Sequence, residues 1–245
     1  MKIRSNVYLL LIIAFVLNSC SNNKSDLKEV TTYFPDKSVA EKYYVRNDSI
    51  KEGRYISFYK NGNINAVCYL KNNKLDSTYI DHYDNGQLAD SLNYADGDLF
   101  GEQFYYYRDG TLRKYAVVDG YGDVIYALRF DSLENEIYRE GVAVSGNFYC
   151  DKCVKDEIHL GEKFYINTMC STPPNTSTAV SWGMLNEKGT KETEELLEIY
   201  SNNIVSFSPK PKQKGVYTLY IKGVIKDKSN SILQVDSFTH KLKVI

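Results

Sequence analysis

An all-β chain is predicted here, a single-layer antiparallel β-hairpin repeat array followed by a β-sandwich. Three observations predict it. One short phrase recurs: Phe58-Tyr59-Lys60-Asn61-Gly62, His82-Tyr83-Asp84-Asn85-Gly86 and Tyr106-Tyr107-Arg108-Asp109-Gly110. Its glycines lie 24 residues apart, twice over, and a fixed period of that size marks a repeat array. Composition agrees, with 22 tyrosines and 10 phenylalanines in 245 residues, residue types that suit a pleated surface. Beyond residue 140 the phrase stops, and apolar runs of strand length separated by turn residues take over.

Residues 1–19 read as a signal peptide. Lys2 and Arg4 give a positive start, and residues 7–17 are almost wholly apolar. That run is shorter than the ~20 residues a spanning helix needs. The closing Leu17-Asn18-Ser19-Cys20 resembles the lipobox of bacterial lipoproteins, which implies a lipid on Cys20 and anchoring to a membrane in the cell envelope, expected at the outer membrane. Residues 20–28, rich in Ser, Asn and Lys, are the expected lipidated tether.

Residues 29–140 carry the repeats. Aligned on the glycines, the columns hold Tyr59, Tyr83 and Tyr107 three residues before, and Ile64, Leu88 and Leu112 two after. The apolar positions of the return limb share parity, so they occupy one face of a strand. Asn61-Gly62, Asn85-Gly86 and Asp109-Gly110 predict two-residue type I′ hairpin turns with Gly62, Gly86 and Gly110 at positive φ. Gly97 and Gly101 bracket a second expected turn, with Gly53 and Ser77 in the place of Gly101 in the earlier copies. Outward the phrase decays: residues 34–37 lack the glycine, and Glu134 stands where the next would fall. Degenerate end copies suit a stacked array.

The Tyr-x-x-Gly turns and the Gly-x-x-x-x-x-Tyr approach of Gly53 to Tyr59 and Gly101 to Tyr107 resemble the MORN-variant repeats, bacterial relatives of membrane-occupation-and-recognition-nexus repeats. The resemblance covers residues 30–138 and implies the hairpin architecture. Some bacterial members are labelled antitoxins, which implies an alternative function as an antitoxin-like or immunity protein neutralising a partner toxin. The Gly-x-Gly ending and tryptophan of the eukaryotic pattern are absent.

Residues 141–245 form the expected sandwich, with strands at 142–149, 163–169, 178–185, 204–208, 217–225 and 232–244. Residues 191–199 read as a connection between strands. Trp182 on a middle strand, followed by Gly215-Val216-Tyr217-Thr218-Leu219, is similar to the Ig-like plan, in which a core tryptophan faces a late strand that opens with a corner tyrosine. Leu219 takes the place of the second cysteine, so no inter-sheet disulfide is expected. The short join between the arrays predicts that the first sandwich strands pack directly on the end of the repeat sheet, since an open strand edge invites association.

Little in the sequence points to chemistry. Residues 51–140 hold 10 Lys/Arg against 15 Asp/Glu, a balance poorly suited to phosphate backbones, so no nucleic-acid partner is expected. Cys150-Asp151-Lys152-Cys153 with Cys170 reads as a structural or disulfide grouping in an exported chain, with unpaired thiols as one alternative and metal or redox sites, which need four ligands or a helix start, as another. Cys68 shares a column with Leu92 and Ala116 and reads as a buried small hydrophobe. The acidic turns Asp96/Asp98 and Asp119/Asp123 lack calcium-loop spacing. No Gly-x-Ser-x-Gly elbow or phosphate loop is present, and no cofactor or metal is expected. Asp48-Ser49-Ile50, Asp76-Ser77-Thr78, Asp90-Ser91-Leu92 and Asp131-Ser132-Leu133 resemble the O-glycosylation acceptor of Bacteroidota, and equally suit turn chemistry. Tyr55, Tyr59, Tyr79, Tyr83, Tyr105 and Tyr107 share one strand parity. They read either as cross-strand stabilisers or as an aromatic surface for a partner. The expectation is a non-enzymatic envelope protein whose repeat sheet binds a protein or glycan partner or acts as a spacer.

Overall fold

The computed structural model describes residues 27–149, 156–199 and 204–245. Cys20, Cys150 and Cys153 lie outside them. The first sheet is an antiparallel meander in chain order: β1 (Leu27–Tyr33), β2 (Val39–Arg46), β3 (Ile50–Phe58), β4 (Ile64–Lys71), β6 (Ser77–His82), β7 (Leu88–Ala95), β8 (Asp98–Tyr106), β9 (Leu112–Val118), β10 (Val124–Phe130) and β11 (Glu136–Gly141). The two-residue β5 (Lys74–Leu75) pairs back on β4. The chain is all-β, and its repeats are hairpins.

Gly62, Gly86 and Gly110 sit at the hairpin tips with φ of 87°, 88° and 93°. The turn type differs from the two-residue type I′ expected. Each glycine N–H donates to the carbonyl of Tyr59, Tyr83 or Tyr107 at 2.9 Å, and each tyrosine N–H donates to the carbonyl of Asn63, Gln87 or Thr111 at 2.8 Å. That pattern is a three-residue loop, a type I turn followed by a left-handed glycine. The side-chain oxygens of Asn61, Asn85 and Asp109 accept the N–H two residues on, at 3.0, 3.1 and 2.9 Å. This local bond holds them at negative φ, which type I′ forbids. True type I′ pairs close the opposite edge, at Asn72-Asn73 (φ 51° and 68°) and Asp96-Gly97 (φ 51° and 98°). The Gly53, Ser77 and Gly101 column is likewise no turn. Gly53 and Gly101 lie inside β3 and β8, where the register slips between Tyr43/Tyr55 and Val45/Lys51 and between Leu92/Gln103 and Tyr94/Leu99. These are β-bulges, which need a residue free to adopt positive φ.

The remaining strands form two facing sheets. One holds β12 (Val144–Tyr149), β14 (Tyr165–Cys170) and β17 (Ile204–Phe207). The other runs β13 (Glu157–Ile158), β19 (Ile232–Val244), β18 (Gly215–Asp227), β15 (Thr176–Leu185), β16 (Lys191–Ile199), with β13 parallel to β19 and the other pairs antiparallel. This is the Ig-like order. Trp182 is buried with its ring 4.9 Å from Phe207 of the opposite sheet. Tyr217 donates its hydroxyl to the Gln213 carbonyl at 2.9 Å, the tyrosine corner of such sandwiches. Leu219 is buried among Ile166, Val180 and Ile221 in place of a disulfide.

Residues 191–199 are a correction. They form β16, paired with β15 along its length, where a connection was expected. The glutamates obscured its strand character, yet without β16 the long β15 would leave its ladder open to water.

The two portions join without a gap. Val142 N–H donates to the Ile125 carbonyl at 2.9 Å, Ser171 N–H to Ala143 at 2.9 Å, and Gln234 Nε2 to the Gly141 carbonyl at 3.0 Å. A shared core forms there: Tyr115, Val117, Tyr126 and Leu128 of the meander pack with Ala143 and Ile225, and Met169 leans on them. At Gly141 the chain turns with φ 100°, and an added Cβ would lie 2.1 Å from the Ile125 carbonyl oxygen.

Two outcomes follow from this architecture. At Gly86 an added Cβ meets nothing nearer than Asn63 Nδ2 at 3.8 Å, so only the backbone resists a side chain. Gly86→Val should cost about 1–2 kcal/mol, the left-handed penalty, read from urea unfolding. The isolated segment 29–140 exposes Tyr115, Val117, Tyr126 and Leu128, side chains worth about 1.5–3 kcal/mol each when buried. It should melt below the intact protein or associate; an equal melting temperature in a monomer would contradict the shared core.

Candidate functional site

Residues directly opposite one another in adjacent strands share a face, so the register defines what each side of the meander presents. One row crosses ten strands: Thr32, Glu41, Ser57, Ala66, Asp81, Asp90, Tyr105, Lys114, Arg129, Tyr138. Its chemistry changes along the path, from acidic and small residues to an aromatic ring and then cations. The opposite face carries Ile56, Val67, Ile80, Phe104, Tyr115 and Leu128. The sandwich covers the Tyr115 end of that second face, which leaves the first face as the larger open surface.

Three tyrosine clusters stand on the open face. Tyr55 stacks on Tyr43 with centroids 6.1 Å apart and donates its hydroxyl to Glu41 Oε1 at 2.8 Å. Lys51 Nζ lies 4.4 Å from the Tyr43 ring centre and 5.1 Å from that of Tyr55, within cation–π range. Burial, then the Glu41 carboxylate, pushes the Tyr55 phenol well above its ordinary range. Tyr79 meets Tyr94 edge-on at 6.4 Å, and burial pushes its phenol up to about 12. Tyr105 is flanked by Lys114 Nζ at 4.9 Å and the Arg113 guanidinium at 5.9 Å. Arg113 in turn lies 3.9 Å from Asp90. Tyr105, Tyr107, Arg113, Lys114, Arg129, Phe130 and Ile137 line a groove of about 380 Å³. Burial, with Arg129 and Arg113 beside it, lowers the Lys114 ammonium below its usual value.

The six sequence-selected tyrosines therefore divide. Tyr55, Tyr79 and Tyr105 lie on the open face. Tyr59, Tyr83 and Tyr107 do not continue that ladder, because they open the turns. Their hydroxyls cross to the next hairpin and donate to the carbonyls of His82, Tyr106 and Phe130 at 2.7, 2.8 and 2.9 Å. Each bond spans 23 residues, one period less one, so these rings stitch copy to copy. The side chains of Asn61 and Asn85 repeat the link to Asp84 and Arg108 carbonyls at 2.7 and 3.2 Å.

Cys170 does not join a disulfide grouping. Its thiol is unbridged and fully buried in the sandwich core, opposite Val144, and burial pushes it up to about 12. Cys68 is also a free buried thiol, raised to about 11 by burial. Acidic turn residues serve their own backbone: Asp119 Oδ1 accepts the N–H groups of Tyr121 and Asp123 at 2.8 and 3.0 Å. Of the serines in Asp-Ser pairs, Ser49, Ser77 and Ser132 are exposed, and Ser91 is half-buried on β7.

Sequence reasoning missed Asp81, Arg113, Lys114 and Arg129, and named Asp90 only within an Asp-Ser pair. Charge counted over residues 51–140 averages their segregation away, whereas register-paired charges would have shown it. No family model matches this chain, and no curated protein matches it significantly.

Asp81 and Asp90 face each other across β6 and β7, and burial raises both carboxyls above 3.8, with Asp81 adding to the rise at Asp90. The folded chain thus holds protons that the unfolded chain has released. Stability from this pair is fully present below pH 3.8 and is lost as pH rises through the folded values. Asp81→Asn should raise stability at pH 7 by roughly 0.2–1 kcal/mol, the scale of a like-charge cross-strand pair. The gain should vanish below pH 3.8. Urea unfolding at both pH values checks this; a stabilisation unchanged with pH would contradict it.

Proposed function

We propose that this is a non-enzymatic, lipid-anchored protein of the cell envelope, whose repeat sheet presents its open face to a protein or glycan partner. One observation carries the reading. Tyr55, Tyr79 and Tyr105, with Tyr43 and Tyr94 beside them, stand half-buried on the open face. Aromatic rings give large contact area at low entropic cost, and Lys51, Arg113 and Lys114 over them add polar handles. The turn tyrosines, by contrast, are engaged in holding the array together.

The likeness of the turn phrase to MORN-variant repeats supports a scaffold that displays a surface. The lipobox-like Leu17-Asn18-Ser19-Cys20 supports anchoring through Cys20 to the outer membrane. Among the described residues no helix is long and apolar enough to cross a membrane.

Cys20→Ser should leave the chain without lipid and shift much of it from the membrane to the soluble fraction; unchanged detergent partitioning would contradict the anchor. The open face is tested separately. A photo-crosslinking residue at Tyr55 or Tyr105 should give adducts in native membranes, and one at Ile56, on the opposite face, should not. Equal labelling from both faces would remove the open face as the interaction surface.

A further inference from the structure

We propose that a pocket at the junction of the two portions binds an organic ammonium group. This site lies on the opposite face of the meander from the tyrosine clusters, and it does not depend on the function proposed above. The pocket has a volume of about 380 Å³ and is lined by Phe104, Tyr106, Leu112 and Phe130 of β8 to β10, Pro174 of the sandwich, and Glu134, with Asn175 at its rim. Three aromatic rings, two aliphatic side chains and one carboxylate make up this wall.

Glu134 and Lys37 are the two residues of the meander that take the glycine's place in this turn. At the equivalent positions Gly62, Gly86, Gly110 and Gly122 accept positive φ without a β-carbon, whereas Lys37 adopts φ 70° and Glu134 φ 63°. Asp131 holds the turn in this shape: its Oδ1 accepts the N–H groups of Leu133 and Asn135 at 2.9 Å each. A left-handed glutamate is strained relative to glycine, and such strain is found where a side chain serves a site. Its carboxylate makes no ion pair or hydrogen bond among the described residues, and no Lys or Arg lines the pocket. The exposed Glu134 carboxylate at this aromatic wall thus has no lysine or arginine of the pocket lining beside it.

Ring faces carry negative potential and attract a cation within about 6 Å of their centres. A nearby carboxylate supplies the opposite charge. Together they favour an organic ammonium, whose alkyl part packs on the rings while its charge meets the carboxylate, over an inorganic ion, which would have to shed its water against apolar rings. The ligand class is thus an alkylammonium. Two sources share that chemistry: a small quaternary amine, or the ammonium of a lysine side chain on a partner protein.

Calorimetric titration of the full-length protein with choline, with Nα-acetyl-lysine amide, and with 3,3-dimethylbutanol, the neutral isostere of choline, tests this. A cation should bind with Kd near or below ~1 mM, and at least tenfold tighter than the neutral isostere. Preference for choline assigns a small amine, and preference for the lysine amide assigns a protein side chain. Two variants separate binding from structure. Glu134→Gln should weaken the cation at least tenfold. Glu134→Gly should weaken it equally while raising the melting temperature, because the turn loses its strain; a merely structural glutamate would not lose binding as stability rose. No saturable binding of either cation up to about 10 mM, equal binding of the neutral isostere, or unchanged binding in Glu134→Gln would each overturn the assignment.

Discussion

In a sheet with no second layer, a hairpin holds its neighbour through the backbone ladder and through side chains that cross the gap between them. Tyr59, Tyr83 and Tyr107 do the second job, each reaching the carbonyl of a residue 23 positions on. The geometry explains why the period is held so closely. A hydroxyl bond to a fixed carbonyl tolerates tenths of an ångström, whereas one inserted residue moves a strand by about 3.4 Å. The left-handed glycine belongs to the same device, since it lets the chain reverse while the tyrosine ring stays beside the next turn. Each link contributes only about 0.5–1.5 kcal/mol net. Repetition, together with the ladder, adds such links along the stack.

Such a stack must end somewhere, and its two faces are not treated alike. The sandwich covers one face at β9 and β10, burying Tyr115 and Tyr126 completely. Coverage is built from the chain itself: Gly141 passes close under Ile125, and Ala143 joins the meander core before β12 begins. β9 and β10 are thus stabilised by tertiary burial. Turn residues 132–135 and β11 stay exposed, and there Asp131 Oδ1, accepting the N–H groups of Leu133 and Asn135, holds the turn with Glu134 in the glycine's place.

Much of this fold was legible because repeats amplify weak signals. Three copies of one phrase located the hairpins, and Trp182 with Tyr217 placed the sandwich core. The errors share a cause: a local signal has more than one geometric solution. Asn-Gly suits both type I′ and three-residue turns, and the bond from Asn61 Oδ1 to Asn63 N–H decided between them. A glycine such as Gly101 marks positive φ, which a bulge needs as much as a turn does. Parity grouped six tyrosines on one face, but the bulges before each turn reset the parity, so Tyr59, Tyr83 and Tyr107 part from Tyr55, Tyr79 and Tyr105. Residues 191–199 looked like a connection because of their glutamates, of which Glu194 and Glu195 face water on an edge strand. The charges of the open face were invisible for a different reason: pairing between strands, absent from linear sequence, sets Asp81 beside Asp90 and Lys114 beside Arg129.

Segregated charge on the open face follows from the same single-layer constraint. Where both faces of a sheet meet solvent, small residues such as Ala66, Cys68, Ala116 and Ala127 become buried only if larger side chains lean over them. Tyrosine, lysine and arginine have the length to do so while keeping a polar end in water. The rings and cations that shield the sheet are therefore also the groups a partner would meet first. Stability and display draw on the same side chains here, and truncating an open-face tyrosine would disturb both. The turn column is different: losing the hydroxyl of Tyr83 would weaken the stack and leave the open face chemically intact. In this fold, the residues that hold the repeats in step and the residues that meet the outside are separated by one bulge.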